Sequence, residues 1–197
     1  MKLKLNCLIT GVGGQGTVLL SRLIGDAALA QGLNVRGSET IGMSQRGGSV
    51  VSHIRMSDGL IHSPLIPPAA ADIIIALEPA EAARTLPFLS PGGKILAFSR
   101  PLQPAGASRA GPYDAAALIA GIREEAGPRF TLVDAEKLTA LCSSKTVNIA
   151  LLGAALGLDI FPFGREDIIT VLKKRLPEKF WDMNIKVLSV FQTEFKK

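Results

Sequence analysis

The sequence predicts an α/β fold: a doubly wound, Rossmann-like mixed sheet with an inserted hairpin and a helical C-terminus. Three observations predict it. A short apolar run ends in Gly11-Val12-Gly13-Gly14-Gln15-Gly16 and passes directly into an amphipathic segment, the strand–loop–helix opening of a doubly wound sheet. Apolar runs such as Ile73-Ile74-Ile75 then alternate with helix-like segments, as they do where parallel strands are buried on both faces. From Thr146 onward the pattern is helical to the end of the chain.

The elements follow in order. Leu5 to Thr10 is an apolar strand stopped by glycine. Thr17 to Gln31 is a helix, because Val18, Leu19, Leu23, Ile24, Ala27, Ala28 and Leu29 leave a broad apolar face, and Gly32 is placed to stop it. Leu33 to Gly37 is a second strand, and Ser49 to Met56 a third. Ser57-Asp58-Gly59 has hairpin-turn chemistry, with Leu60 to Ser63 as the returning strand. Asp72 to Leu77 is a buried strand and Pro79 to Leu86 a short helix with proline at its start. Pro91-Gly92-Gly93 reads as a turn before a strand from Lys94 to Phe98. Residues 100 to 112 hold three prolines and form a loop or irregular crossover. Asp114 caps a helix to Ala126, Phe130 to Val133 is the last strand, and Asp134 caps the next helix. Helices over Thr146–Leu158, Arg165–Leu176 and from Pro177 or later complete the chain.

Composition bounds what such a chain can do. Its 197 residues, 47% hydrophobic and 20% charged, suit a single domain over 1–197 whose core needs neither disulfide nor metal. No apolar run approaches the roughly 20 residues of a membrane span. Met1-Lys2-Leu3-Lys4-Leu5 leads into a strand without the apolar segment of a signal peptide, so a cytoplasmic location is expected. The net charge of +5 is mild and aromatics are only 5%, which argues against a nucleic-acid surface. Lys173, Lys174, Arg175 and Lys179 form the densest basic stretch, either a solvated helix end or a docking patch for an acidic partner. Cys7 and Cys142 lie in apolar surroundings as buried thiols, and His53 and His62 have no metal-ligand spacing, so no metal site is expected.

The chemistry concentrates in two loops. Gly11, Gly13 and Gly16 fit G-x-G-x-x-G after a strand and before a helix, where free backbone N–H groups can hold an anion. A dinucleotide site also needs an acidic residue about 20 positions on, at the end of the second strand. Arg36 stands there, with Glu39 three residues later; Arg36 would suit the 2′-phosphate of NADP, yet no hydride-transfer constellation follows. The glycines alternatively serve tight helix–strand packing alone. In Ser44-Gln45-Arg46-Gly47-Gly48-Ser49, an arginine beside open backbone can take a carboxylate or phosphate through two parallel bonds, or the segment is a solvent loop shaped by glycine.

Together, Gly11-Val12-Gly13-Gly14-Gln15-Gly16, Gln45-Arg46-Gly47-Gly48, Ser63-Pro64, the strand Asp72-Ile73-Ile74-Ile75-Ala76-Leu77-Glu78 and Thr146-Val147-Asn148 with Gly153 and Gly157 resemble the gamma domain of the pyruvate/2-oxoacid:ferredoxin oxidoreductase family, and within it the indolepyruvate-type small subunits. The resemblance runs over essentially the whole chain. It implies a subunit that is inactive alone and assists oxidative decarboxylation of a 2-oxoacid, of arylpyruvate type, to an acyl-CoA with reduction of ferredoxin. Thiamine diphosphate and the iron–sulfur clusters would sit on a large catalytic partner subunit. Two cysteines and the lack of a thiamine-type Gly-Asp-Gly segment agree with that. Coenzyme A is the implied co-substrate, with Gly11, Gly13, Gly14, Gln15, Gly16, Gln45, Arg46, Gly47 and Gly48 as candidate contacts and no catalytic residue in this chain. A homodimer is expected in isolation. The competing expectations are a stand-alone NAD(P)-binding reductase or nucleotide sensor, and an α/β interaction module without ligand.

Overall fold

The computed structural model describes residues 3–42, 47–102, 114–141 and 146–196. Among these residues, six strands form one sheet in the order β2-β3-β1-β4-β5-β6. They are β1 (Lys4–Val12), β2 (Asn34–Ile41), β3 (Ser49–Ser57), β4 (Ala71–Ala76), β5 (Leu89–Phe98) and β6 (Phe130–Val133). Strands β1, β4, β5 and β6 run parallel, and β3 runs antiparallel to both β1 and β2. The helices are α1 (Thr17–Ala30), α2 (Pro79–Thr85), α3 (Ala115–Ala126), α4 (Ala135–Leu141), α5 (Val147–Gly157), α6 (Arg165–Arg175) and α7 (Trp181–Phe195).

Side chains alternate across the sheet as strand geometry requires. Cys7, Ile9, Ile73, Ile75, Leu96, Phe98 and Val133 face α1 and the C-terminal helices. Leu8, Ile74, Ile95 and Ala97 face the other layer, which holds Ala82 of α2 and Ile122 of α3. All of α5 is buried, which explains why its sequence is apolar all round rather than on one face. Asp114 caps α3 by accepting from the Ala117 amide at 3.0 Å, and Asp134 accepts from the Glu136 amide at 2.8 Å, as the sequence predicts. The basic stretch is partly used inside the fold. Arg175 holds Asp26 through two bonds, of 2.5 and 2.9 Å, joining α6 to α1, and Lys173 lies over the Trp181 ring.

Three expectations are corrected. The inserted hairpin is present, but it is β2–β3, with Gly42 donating to the Ser49 carbonyl at 2.9 Å at its loop end. Leu60 to Ser63 is not a strand. Both edges of β3 are already filled by β1 and β2, so a returning strand has nowhere to pair. The chain instead leaves β3 at Asp58, which exchanges bonds with Leu3, and the segment beyond is tied down by Arg55, donating to the Ser63 and Leu65 carbonyls. Second, Pro91-Gly92-Gly93 lies within β5 rather than before it. The β4–β5 register shifts between Ala71 and Ile73, and a Cβ at Gly93 would lie 2.4 Å from the Ala71 carbonyl oxygen. These residues therefore serve a bulge where two backbones approach closely. Third, β2 extends to Ile41, four residues past its expected end at Gly37, which moves Arg36 to the strand's beginning.

Candidate functional site

The glycine loop leaves the C-terminal end of β1, at the point where the sheet's connections divide. From β1 the chain runs through α1 on one face, and from β4 it runs through α2 on the other. In doubly wound sheets this junction is where ligands bind. The loop is braced before any ligand arrives. The Gln15 side chain accepts from the Val12 amide at 2.7 Å and donates to the Leu77 carbonyl at 2.9 Å, stapling the loop to the end of β4. The Gly13 amide donates to the Gly48 carbonyl at 2.9 Å, which brings the two sequence-predicted loops together. Gln45 and Arg46 lie outside the described residues.

These bonds sort the candidates. Gly13 N–H and the Gln15 amide are spent on the fold. A Cβ at Gly11 would crowd Gln15, Thr17 and Leu77 within 2.9–3.1 Å, so Gly11 serves packing under the loop. Gly14 and Gly16 have φ of +99° and +85°, the left-handed region that glycine enters without strain. Gly16 is the N-cap of α1, so no side chain covers the amides of the first turn, and no acidic residue stands in that turn. The Asn148 side chain donates to the Gly16 carbonyl at 3.3 Å and accepts from the Ile149 amide at 3.0 Å, fixing the start of α5 beside the start of α1. The first turn of α5 also lacks an acidic residue.

Between these elements lies a cleft of about 700 Å³ lined by Gly13, Gly14, Gln15 and Gly16 on one side and by Arg100, Pro101 and Leu102 on the other. Leu19, Phe98, Val147 and Asn148 complete its lining. Arg100 is exposed at the rim and donates to Thr139 of α4 at 2.9 Å. Two helix N-termini and a guanidinium therefore converge on one apolar-floored cleft. Helix macrodipoles place about half a positive charge at each such end, so the arrangement suits an anion carrying an apolar arm. Beneath it, Glu78 and Glu81 are buried at 1% and 2% exposure. Glu81 accepts from Ser49 at 2.5 Å and pairs with Arg84, while Glu78 accepts from the Glu81 and Leu102 amides. Arg100, Asn148 and Glu78 are absent from the sequence-predicted set. The position of Arg100, just past a strand's C-terminal end, is the signal that could have found it.

The dinucleotide alternative loses its geometry here. Arg36 pairs with Arg55, which pairs with Asn6, so it stands level with the beginning of β1. Five residues of strand, roughly 17 Å, separate that level from Gly11, and β3 lies between the two strands. Glu39 accepts from Ser21 at 3.1 Å in a separate groove between α1 and β2. Calorimetry on the isolated chain is expected to show NAD and NADP binding no tighter than millimolar, a binding free energy of about −4 kcal/mol. Micromolar binding would restore the reductase.

Comparisons with known proteins agree on one group. Residues 6–190 match the family model described as Pyruvate ferredoxin/flavodoxin oxidoreductase. The chain is 36% identical over 193 residues to Indolepyruvate oxidoreductase subunit IorB of Archaeoglobus fulgidus, covering 95% of this chain and 94% of that one. The gamma subunit of keto/oxoacid ferredoxin oxidoreductase from Geobacter sulfurreducens shares the fold with a TM-score of 0.70 at 20% identity, covering 98% and 97% of the two chains. The 2-oxoglutarate:ferredoxin oxidoreductase of Magnetococcus marinus, solved with 2-oxoglutarate, coenzyme A and succinyl-CoA bound, aligns with a TM-score of 0.72 at 16% identity. That match covers 98% of this chain and 31% of the other.

Proposed function

This chain belongs to the pyruvate ferredoxin/flavodoxin oxidoreductase family, and from that premise we propose that it is the small, gamma-type subunit of an indolepyruvate-type 2-oxoacid:ferredoxin oxidoreductase whose glycine-loop cleft holds the phosphate-bearing end of coenzyme A. The convergence of the α1 and α5 N-termini with Arg100 on one cleft carries this assignment. The cleft's volume of about 700 Å³ is that of a small-molecule site. Coenzyme A offers diphosphate oxygens to the amides and the guanidinium, and the methyl and methylene groups of its pantetheine arm suit Leu19, Phe98, Leu102 and Val147. Held by this end, its thiol is free to reach an acyl group on a neighbouring subunit. Gln45, Arg46, Gly47 and Gly48 join the site on the motif and on the bond from Gly13 to Gly48.

The chain is an oxidoreductase subunit, and the substrate chemistry belongs to a partner. Iron–sulfur clusters are held by cysteine thiolates, usually four. Of the two cysteines here, Cys7 is fully buried in β1, where burial pushes its thiol well above the ordinary range. The described residues contain no group of three or more His, Cys, Asp or Glu that could hold a metal. This donor set does not fit a cluster, so electron transfer to ferredoxin is assigned to the large subunit, and the lack of a Gly-Asp-Gly segment supports placing thiamine diphosphate there too. Residues 1–197 act as one gamma-type domain, and the open edge of β2 suits self-pairing when the partner is absent. No helix among the described residues is long and apolar enough to cross a membrane.

Purified alone, the chain is expected to be colourless and unable to oxidise indolepyruvate. Mixed with the large subunit, it is expected to restore coenzyme A-dependent turnover. A visible cluster spectrum in the isolated chain, or turnover without a partner, would contradict the assignment.

A further inference from the structure

Glu78 does more than an N-cap requires. Helix N-caps favour short side chains, Ser, Thr, Asp and Asn, because these reach only the amides of their own first turn. Glu78 is longer, and both of its carboxylate oxygens are engaged. Oε2 accepts from the Glu81 amide of α2 at 3.0 Å, and Oε1 accepts from the Leu102 amide at 3.4 Å, 24 residues further along the chain. The side chain is 1% exposed with its residue and has no cation partner among the described residues; the neighbouring Arg84 is taken by Glu81. Burial accordingly pushes its carboxyl above the ordinary range, and the nearby Glu81 adds to this, against the pull of the backbone amides. A buried carboxylate without a counter-ion is costly, and capping α2 alone would not need one. Its place accounts for it. Glu78 directly follows Leu77, whose carbonyl receives the Gln15 staple, while Leu102 belongs to the wall facing the glycine loop.

We propose that Glu78 is a positioning residue for the cleft: its carboxylate clasps the Leu102 backbone and so sets where the wall of Arg100, Pro101 and Leu102 stands opposite the glycine loop. The ligand in this inference rests on the coenzyme A assignment; the clasp itself does not. Glu78→Gln removes the charge and one acceptor oxygen. Glu78→Asp keeps the charge and the cap on α2 but is one methylene too short to reach Leu102 as well.

The test uses the enzyme assembled with its large subunit. Hydrogen exchange of the Leu102 amide is measured without coenzyme A, and the KM for coenzyme A is measured alongside kcat. Both variants are expected to speed Leu102 exchange about tenfold and to raise KM about tenfold, with a smaller change in kcat. Thermal stability should fall further in Glu78→Gln than in Glu78→Asp, because only the former weakens the cap. Unchanged Leu102 exchange in both variants, even with lower melting temperature, would reduce Glu78 to a helix cap and overturn the proposal. Faster exchange with an unchanged KM would overturn the positioning role. If the coenzyme A assignment itself is wrong, Gly16→Ala will also leave KM unmoved, which separates that failure from the failure of the clasp.

Discussion

Gly16→Ala is expected to raise the KM for coenzyme A of the assembled enzyme roughly ten- to a hundredfold. Gly16 has φ +85° and ψ 26°, a conformation that costs an L-residue roughly 1–2 kcal/mol. The added Cβ would also lie 2.7 Å from the Asn148 side-chain nitrogen. Either the start of α1 shifts or Asn148 releases the Gly16 carbonyl, and both change how the two helix starts face the ligand. Losing one charge-assisted hydrogen bond costs roughly 1.5–3 kcal/mol, which is the stated range in affinity. Gly14→Ala is the control. Its φ of +99° brings backbone strain, but nothing lies within 4 Å of the new Cβ, so a smaller rise in KM is expected. If the glycines serve only helix–strand packing, both variants lose stability and neither changes KM.

Gly153→Ala is expected to lower the melting temperature by up to about 9 °C. Two effects oppose each other here. Replacing a mid-helix glycine by alanine gains about 0.8–1 kcal/mol of helix propensity. Against that, the new Cβ would lie 2.5 Å from the Leu188 carbonyl oxygen and 3.1 Å from Phe191 Cβ, both on α7 and both fully buried. The nearest atom is backbone, so no rotamer change relieves the contact and α7 must move. Overpacking costs typically 1–3 kcal/mol, and each kcal/mol shifts the melting temperature by about 2–4 °C in a chain of this size. The steric effect wins at most of that range. Gly157, whose Cβ would lie 2.5 Å from the Gln192 carbonyl oxygen, repeats the arrangement one turn on. Differential scanning fluorimetry of the isolated chain decides the sign. A raised melting temperature would show that α7 yields freely and that the two glycines do not define the α5–α7 contact.

The parts of the fold legible in the sequence are those set by local pattern. Ile73-Ile74-Ile75 and Phe130 to Val133 are strands because short apolar runs bounded by caps leave few alternatives. The glycine loop is legible because strand, glycines and helix follow one another directly. The insertion of β3 between β1 and β2 is a pairing between segments far apart in sequence, and no local period encodes it. That insertion carried Arg36 away from the site. Asn148 and Glu78 escaped for a similar reason. Asn148 is the one polar residue within the apolar run of α5, and Glu78 stands at a strand end like any solvated carboxylate. Their roles depend on Gly16 and Leu102, 132 and 24 residues away. Pro91-Gly92-Gly93 shows the limit of turn chemistry, since the residues that make a turn also make a bulge.

Backbone hydrogen exchange of the assembled enzyme, with and without saturating coenzyme A, tests the central claim most directly. Coenzyme A in the glycine-loop cleft predicts slower exchange at three separated segments of this chain: Gly14 to Leu19, Arg100 to Leu102, and Val147 to Asn148. The same amides in Gly16→Ala should show little protection at wild-type saturating concentration. Protection confined to the large subunit, with all three segments unchanged, would contradict the placement of the coenzyme in this chain.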